Sequence, residues 1–128
     1  MKEKRTVLIL DRDAYTAGLY ARKFEQEKWQ VKIVDDLDQA LSYLKSHEPE
    51  AFVFDHQSLS DLKVDAADFA HRTRRTDSLL AVLIEMDKVV YPDQTVEEYE
   101  ADTYLLKGHF VPSEAVAKIS RLVDEAED

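Results

Sequence analysis

The sequence contains no cysteine, so disulfide bonds, cysteine-ligated zinc and thiol catalysis are all excluded. It has only two glycines, Gly18 and Gly108, and neither belongs to the glycine-rich loop that cradles a phosphate group. Dinucleotide binding and P-loop nucleotide binding are therefore excluded as well. A chain without cysteine is consistent with the cytoplasm, which we take as the expected location.

Long hydrophobic runs are also missing. The apolar runs, such as residues 7–10, are far shorter than the roughly 20 residues of a bilayer-spanning helix. Seventeen Lys and Arg stand against 27 Asp and Glu, which gives a formal net charge of -10. This charge repels phosphate backbones and anionic lipid surfaces, so we expect neither nucleic acid nor a membrane to be a direct partner.

A sequence of 128 residues is the size of one domain. We expect its core over about residues 6–123 and no output domain. Short apolar runs predict strands at residues 6–10, 31–34, 51–54, 79–84 and 103–106. Apolar residues at helical spacing predict helices at 14–28, 37–48, 64–75, 92–100 and 112–127. Residues 56–64 are predicted to be a polar loop.

Five strand–helix repeats predict an α/β fold, a doubly wound five-stranded parallel sheet with helices on both faces. Chemistry in such sheets gathers at the carboxyl ends of the strands. Four charged residues each follow a different predicted strand: Asp11, Asp55, Glu85 and Lys107. We expect these four side chains to meet at one edge of the sheet.

This arrangement resembles the receiver domain of two-component response regulators, the CheY-like family of flavodoxin-like topology. The resemblance implies that Asp55 is the phosphoryl acceptor, that Lys107 pairs with the phosphoryl group, and that Asp11 and Asp55 bind Mg²⁺. Glu85 stands where the family has a Thr or Ser that contacts the phosphoryl group. The family acts in phosphorelay signalling and is not an enzyme beyond phosphorylation and dephosphorylation of its own aspartate.

The segment at residues 100–107 resembles the stretch that leads to the family's lysine, with Tyr104 at the position of its switch aromatic. In the family, the fourth helix, fifth strand and fifth helix form the surface used for dimers and outputs. Here that surface would include Tyr99, Tyr104, Phe110 and Lys118. The resemblance implies a histidine kinase or another signalling protein as partner, together with a second copy of the chain.

The chain departs from the family's pattern at four positions, so the resemblance is to an atypical member. Arg12 replaces the second acid of the magnesium pair and Glu85 replaces the Thr or Ser, while Gly108 and Leu59 replace two prolines. Three carboxylates against two cations would leave a single negative charge for a divalent ion, so we expect Mg²⁺ to bind weakly or not at all. Asp13 is an alternative source of a carboxylate if Arg12 points to solvent.

Charged groups at strand ends must be paired when they are buried. We therefore expect Lys107 within hydrogen-bonding reach of Asp55 or Glu85, and Arg12 near Asp55 or pointing outward. Such internal ion pairs would stand in for the metal and the phosphoryl group.

Two other functions stay open. The first is a pseudo-receiver that works without phosphorylation of Asp55. The second starts from the acids Asp11 and Asp13, which are spaced as in the nucleophile motif of haloacid-dehalogenase-type phosphatases. A phosphatase of that type needs a further acidic pair to hold magnesium, and only Glu85 and Asp87 follow the fourth strand.

Overall fold

The computed structural model describes residues 4–74, 76–85, 91–107 and 112–127. Its strands all belong to one parallel sheet in the order β2-β1-β3-β4-β5. They are β1 (Thr6–Leu10), β2 (Gln30–Val34), β3 (Ala51–Asp55), β4 (Leu79–Glu85) and β5 (Thr103–Lys107). The strand order is the flavodoxin-like one, and the predicted doubly wound α/β class is confirmed.

Helices cover both faces of this sheet. They are α1 (Ala14–Gln26), α2 (Leu37–His47), α3 (His56–Asp61), α4 (Ala66–Thr73), α5 (Pro92–Tyr99) and α6 (Pro112–Glu127). Buried residues of α1 and α6 form one core cluster with alternate strand residues such as Val7 and Ile9. The other alternate residues, such as Leu8 and Leu10, form a second cluster with α2, α3, α4 and α5. Successive side chains of a strand point to opposite faces, which explains the two clusters.

Aspartates fix where four of these helices begin. The carboxylates of Asp13, Asp36, Asp55 and Asp65 each accept a hydrogen bond from a backbone N–H in the first turn of the helix that follows. Such N-caps satisfy donors that have no partner within the helix, and each contributes about 1 kcal/mol. Two of the four caps stand at strand ends that form the site described below: Asp55 is the last residue of β3, and Asp13 lies three residues after β1.

The prediction of a polar loop over residues 56–64 is wrong, because residues 56–61 form α3. The strand-end Asp55 caps this helix, and the side chain of Leu59 is fully buried in the second core cluster. Neither Gly nor Pro interrupts the segment, so nothing in it opposes a helical turn.

The first helix ends at Gln26, two residues before its predicted end, because Lys28 adopts a left-handed backbone with φ of 71°.

Aromatic rings pack beneath the carboxyl end of β3. The Phe69 ring of α4 lies 4.5 Å from Phe54 and 5.4 Å from Tyr99, measured between ring centroids. The rings of His56 and Tyr99 are almost perpendicular, with their centroids 5.9 Å apart. These contacts join β3 to α4 and α5 next to Asp55.

None of the helices in the described ranges is both long and apolar enough to span a membrane.

Candidate functional site

Three of the predicted site residues meet at the carboxyl edge of the sheet. Asp11 follows β1 directly, Asp55 ends β3 and Lys107 ends β5. Both aspartates are buried, with 2% and 3% of their surfaces exposed. The Lys107 ammonium lies 2.8 Å from Asp55 Oδ1 and 3.4 Å from Asp11 Oδ2. The expected ion pair between Lys107 and Asp55 is thus present.

Strand order explains why a lysine is needed for this contact. β4 lies between β3 and β5, so the side chain of Lys107 must cross the end of β4 to reach Asp55. A lysine stem of four carbons spans that gap while keeping its charge at the tip. The ammonium approaches Asp55 Oδ1 outside hydrogen-bonding geometry, and this oxygen has no hydrogen-bond donor among the described residues. The contact between them is therefore an ion pair rather than an aligned hydrogen bond.

Ser58, on α3, completes the cluster and was not singled out by the sequence. Its backbone N–H and its hydroxyl both donate to Asp55 Oδ2, at 2.9 and 2.7 Å. The hydroxyl oxygen also accepts a hydrogen bond from the backbone N–H of Arg12, at 2.9 Å, and lies 3.5 Å from Asp11 Oδ1. The signal that could have located it is an aspartate at a strand end followed three residues later by a serine, because that spacing fits a helix cap.

Arg12 points outward, one of the two orientations expected for it. Its side chain is exposed, and no ion pair links it to the residues that the structure describes. The neighbouring Asp13 does not turn toward Asp11 and Asp55. Its carboxylate accepts hydrogen bonds from the backbone N–H of Tyr15 and the hydroxyl of Thr16, at 3.1 and 2.6 Å. Asp13 is thereby committed to capping α1.

Glu85 and Tyr104 lie beside the cluster rather than in it. Glu85 is half-buried and is the register partner of Lys107 on the neighbouring strand, but no ion pair joins the two side chains. Tyr104 is half-buried at the sheet edge and packs against the second core cluster. On its other side the Lys118 ammonium of α6 lies 5.3 Å from the ring centroid and donates to the Tyr104 carbonyl at 2.9 Å.

The electrostatics of the cluster follow from its burial. Burial raises the pKa of Asp11, and the backbone N–H of Asp13 and the charge of Lys107 only partly offset this. Burial alone would lower the pKa of Lys107, but its contacts with Asp55 and Asp11 outweigh that effect and raise the pKa. The lysine therefore stays charged, and its closer contact is with Asp55.

Three residues named from the sequence lie outside the described residues: Asp87, Gly108 and Phe110. A cleft of about 620 Å³, lined by residues such as Glu50, Ser78 and Glu127, lies at the opposite end of the sheet. It shares no residue with the acid cluster.

Comparisons with known proteins identify the fold. No protein-family model and no curated protein matches the sequence. The structure is similar to a response regulator signal receiver domain from Bermanella marisrubri, with 24% identity and a TM-score of 0.75 over 94% of this chain and 99% of that one. It is similar to a response regulator from Thermotoga maritima, with 16% identity and a TM-score of 0.76 over 95% and 99% of the two chains.

A third similar structure is full-length FixJ from B. japonicum, with 17% identity and a TM-score of 0.81. That match covers 98% of this chain and 61% of the other. The TM-scores establish a shared fold, and identities this low establish nothing beyond it. The chain therefore has the CheY-like receiver fold, and the prediction of that fold is confirmed.

We predict that Lys107→Met lowers the free energy of unfolding by about 3–5 kcal/mol at neutral pH, because it leaves two buried carboxylates without their cation. Urea unfolding measures the change. The control is Lys45→Met on α2, whose side chain is exposed, and its effect should stay within about 0.5 kcal/mol. Equal unfolding midpoints for the two variants would contradict a structural role for the Lys107 contacts.

The same lysine predicts a dependence on alkaline pH. Its pKa is raised in the folded protein, so its contribution to stability is complete below the ordinary lysine value of about 10.4 and is lost as pH rises through the folded pKa. The difference in unfolding free energy between wild type and Lys107→Met should therefore shrink above pH 10.4. A difference that stays constant up to the pH at which both proteins unfold would rule this out.

Proposed function

We propose that the chain is a receiver-like signalling module of two-component phosphorelay systems, with Asp55 at the phosphoryl-acceptor position, and that it acts through protein–protein contacts. The observation that carries the proposal is the 2.8 Å contact between Lys107 Nζ and Asp55 Oδ1 at the carboxyl edge of a receiver fold. A buried aspartate paired with a lysine in this place is the arrangement that the family resemblance implies. The two alternative functions, a pseudo-receiver and a phosphatase, concern the same site and are judged by the same geometry.

The chemistry of the acceptor step uses the oxygen that lacks a hydrogen-bond donor. Asp55 Oδ1 would form a bond to phosphorus while the bond between phosphorus and its donor breaks, the donor being a phosphohistidine of a kinase or a small acyl phosphate. The Lys107 ammonium, already at Oδ1, would balance charge on the transferred group. Oδ2 is held by Ser58, which fixes the direction of Oδ1.

Mg²⁺, which the receiver fold implies, fits this set of residues poorly. Bound Mg²⁺ would neutralise the charge of the transferring phosphoryl group. Among the described residues, the carboxylates of the cluster are those of Asp11 and Asp55, and both already contact Lys107. No group of three or more His, Asp or Glu in the described part of the chain is placed to hold a metal. We infer weak magnesium binding and, with it, slow phosphorylation of Asp55.

A phosphatase has less support than a receiver. The hypothesis needs Asp13 as a second functional acid beside Asp11, and the Asp13 carboxylate is occupied as the cap of α1. The catalysis that we propose is at most the phosphorylation and dephosphorylation of the chain's own Asp55.

The surface formed by α5, β5 and α6 is the proposed site of partner contact. Tyr104 lies on β5 between the two helices, held by Lys118 on one side and the second core cluster on the other. A strand at the sheet edge also leaves backbone groups open to a partner. We propose that a histidine kinase or another signalling protein, or a second copy of the chain, binds here.

The acceptor role is tested with acetyl phosphate and Mg²⁺, followed by intact-mass measurement of wild type and Arg12→Asp. Arg12→Asp restores a carboxylate beside the cluster and removes an adjacent cation. We expect it to strengthen magnesium binding by about tenfold or more in a calorimetric titration, and to raise the fraction of phosphorylated protein. Arg22→Asp, which changes a cation on α1 away from the cluster, is the control.

The outcomes separate the parts of the proposal. No added phosphoryl mass in either protein would remove Asp55 as an acceptor and leave the pseudo-receiver. Stoichiometric phosphorylation of wild type at low magnesium would show an ordinary receiver and overturn the inference of a weakened metal site. Asp55→Asn in the Arg12→Asp background must lose the added mass if Asp55 carries it.

The proposed surface is tested by Tyr104→Ala. If a second copy binds through α5, β5 and α6, sedimentation equilibrium should show self-association of wild type that weakens by about fivefold or more in the variant. Tyr15→Ala, which changes a tyrosine that is 74% exposed on α1, should leave it unchanged. Self-association that is insensitive to Tyr104, or a wild type that stays monomeric, would exclude a dimer through this surface.

A further inference from the structure

The hydroxyl of Ser58 stands between the two buried carboxylates of the site. It donates to Asp55 Oδ2 at 2.7 Å and lies 3.5 Å from Asp11 Oδ1. Ser58 is itself buried, with 2% of its surface exposed, so no bulk water competes for these contacts. A hydroxyl has one proton to donate and two lone pairs that can accept. The proton goes to Asp55, and a lone pair accepts from the backbone N–H of Arg12 at 2.9 Å.

Each of the four carboxylate oxygens has a partner within the protein. Asp11 Oδ1 accepts from the backbone N–H of Asp13 at 2.9 Å, and Asp11 Oδ2 meets the Lys107 ammonium at 3.4 Å. Asp55 Oδ1 meets the same ammonium, and Asp55 Oδ2 takes both donors of Ser58. A divalent cation would have to share these oxygens with their present partners, and at two of them it would meet the charge of the Lys107 ammonium.

We infer that Ser58 takes over, as a neutral bridge between Asp55 and the backbone of the loop that carries Asp11, the role that a bound divalent cation would have, and so holds the resting site together without metal. The inference rests on the proposed function, because it concerns what stabilises the same acid cluster. Ser58 acts here as a positioning residue. It fixes Asp55 through two hydrogen bonds and ties the loop after β1 to α3 through the backbone of Arg12.

The local sequence explains why this position can form the bridge. Asp55 caps α3, so the chain turns back at once and brings the third residue after the cap to the carboxylate. A short hydroxyl side chain on that residue reaches Oδ2 without leaving the helix. Ser60, two residues further along α3, is exposed and has no such contact with the described residues. The segment therefore supplies a matched control for the bridging hydroxyl.

The test compares the magnesium affinity of the Arg12→Asp protein with that of Arg12→Asp/Ser58→Ala by calorimetric titration with MgCl₂. Loss of the hydroxyl removes one of the two donors to Asp55 Oδ2, so this oxygen keeps only the backbone N–H of residue 58 and has a lone pair open to a cation. We expect the double variant to bind Mg²⁺ about tenfold more tightly, the size expected for a hydrogen bond to a charged group. Arg12→Asp/Ser60→Ala should match Arg12→Asp.

A second substitution covers a loss of folding. Ser58→Cys keeps the branching of the side chain with a somewhat larger atom and replaces the hydroxyl by a poor donor, so it should also raise magnesium affinity. Asp55→Asn added to the double variant must abolish the gain, which locates the bound ion at the cluster. Rescue of the original affinity in Arg12→Asp/Ser58→Thr would tie the effect to the hydroxyl.

Equal magnesium affinity in Arg12→Asp and in both Ser58 variants, including no binding in any of them, would overturn the bridge. That result differs from failure of the proposed function, which is judged by phosphoryl mass at Asp55 in the Arg12→Asp protein. If Arg12→Asp gains phosphoryl mass but the Ser58 substitutions do not change its magnesium affinity, the proposed signalling function stands and only the Ser58 bridge is overturned.

Discussion

Two carboxylates buried within one cluster constrain everything around them. Taking an ionised carboxylate out of water costs several kcal/mol, and two close together also repel each other. Asp11 and Asp55 are nonetheless almost fully buried, so the fold must supply compensation from inside. It does so with one ammonium from β5 and with donors from Ser58 and Asp13. The sheet order matters because it brings these donors to the same edge.

Compensation of this kind links elements that are distant in sequence. Asp55 is at once the end of β3, the cap of α3 and the partner of Lys107. A change that removes its charge keeps the cap if the replacement still accepts a hydrogen bond, but it loses the tie to β5. Local folding of α3 and the long-range tie across β4 therefore depend on different atoms of one side chain, Oδ2 and Oδ1.

Much of this arrangement could be predicted from the sequence. The apolar runs located every strand, and the strand-end charges located Asp11, Asp55 and Lys107, because parallel strands place their ends at one edge. The α3 helix and Ser58 could not be found in that way. A six-residue helix is too short to show an apolar period. Its stability comes from the local Asp55 cap and from burial of Leu59, and that burial is a tertiary feature. Pairing of Lys107 with Asp55 rather than Glu85 likewise depends on side-chain reach.

Arg12 and Ser58 affect the site from opposite sides. The Arg12 side chain is exposed and adds positive charge where a cation would approach, while its backbone N–H holds the Ser58 hydroxyl in the interior. The first effect is screened by salt and by water, because the guanidinium is in solvent. The second is not, because Ser58 is buried. The backbone contact would survive any substitution of the Arg12 side chain that keeps the loop in place. Removing the charge at position 12 therefore changes the approach of an ion and leaves the interior bridge intact, which separates the two contributions physically.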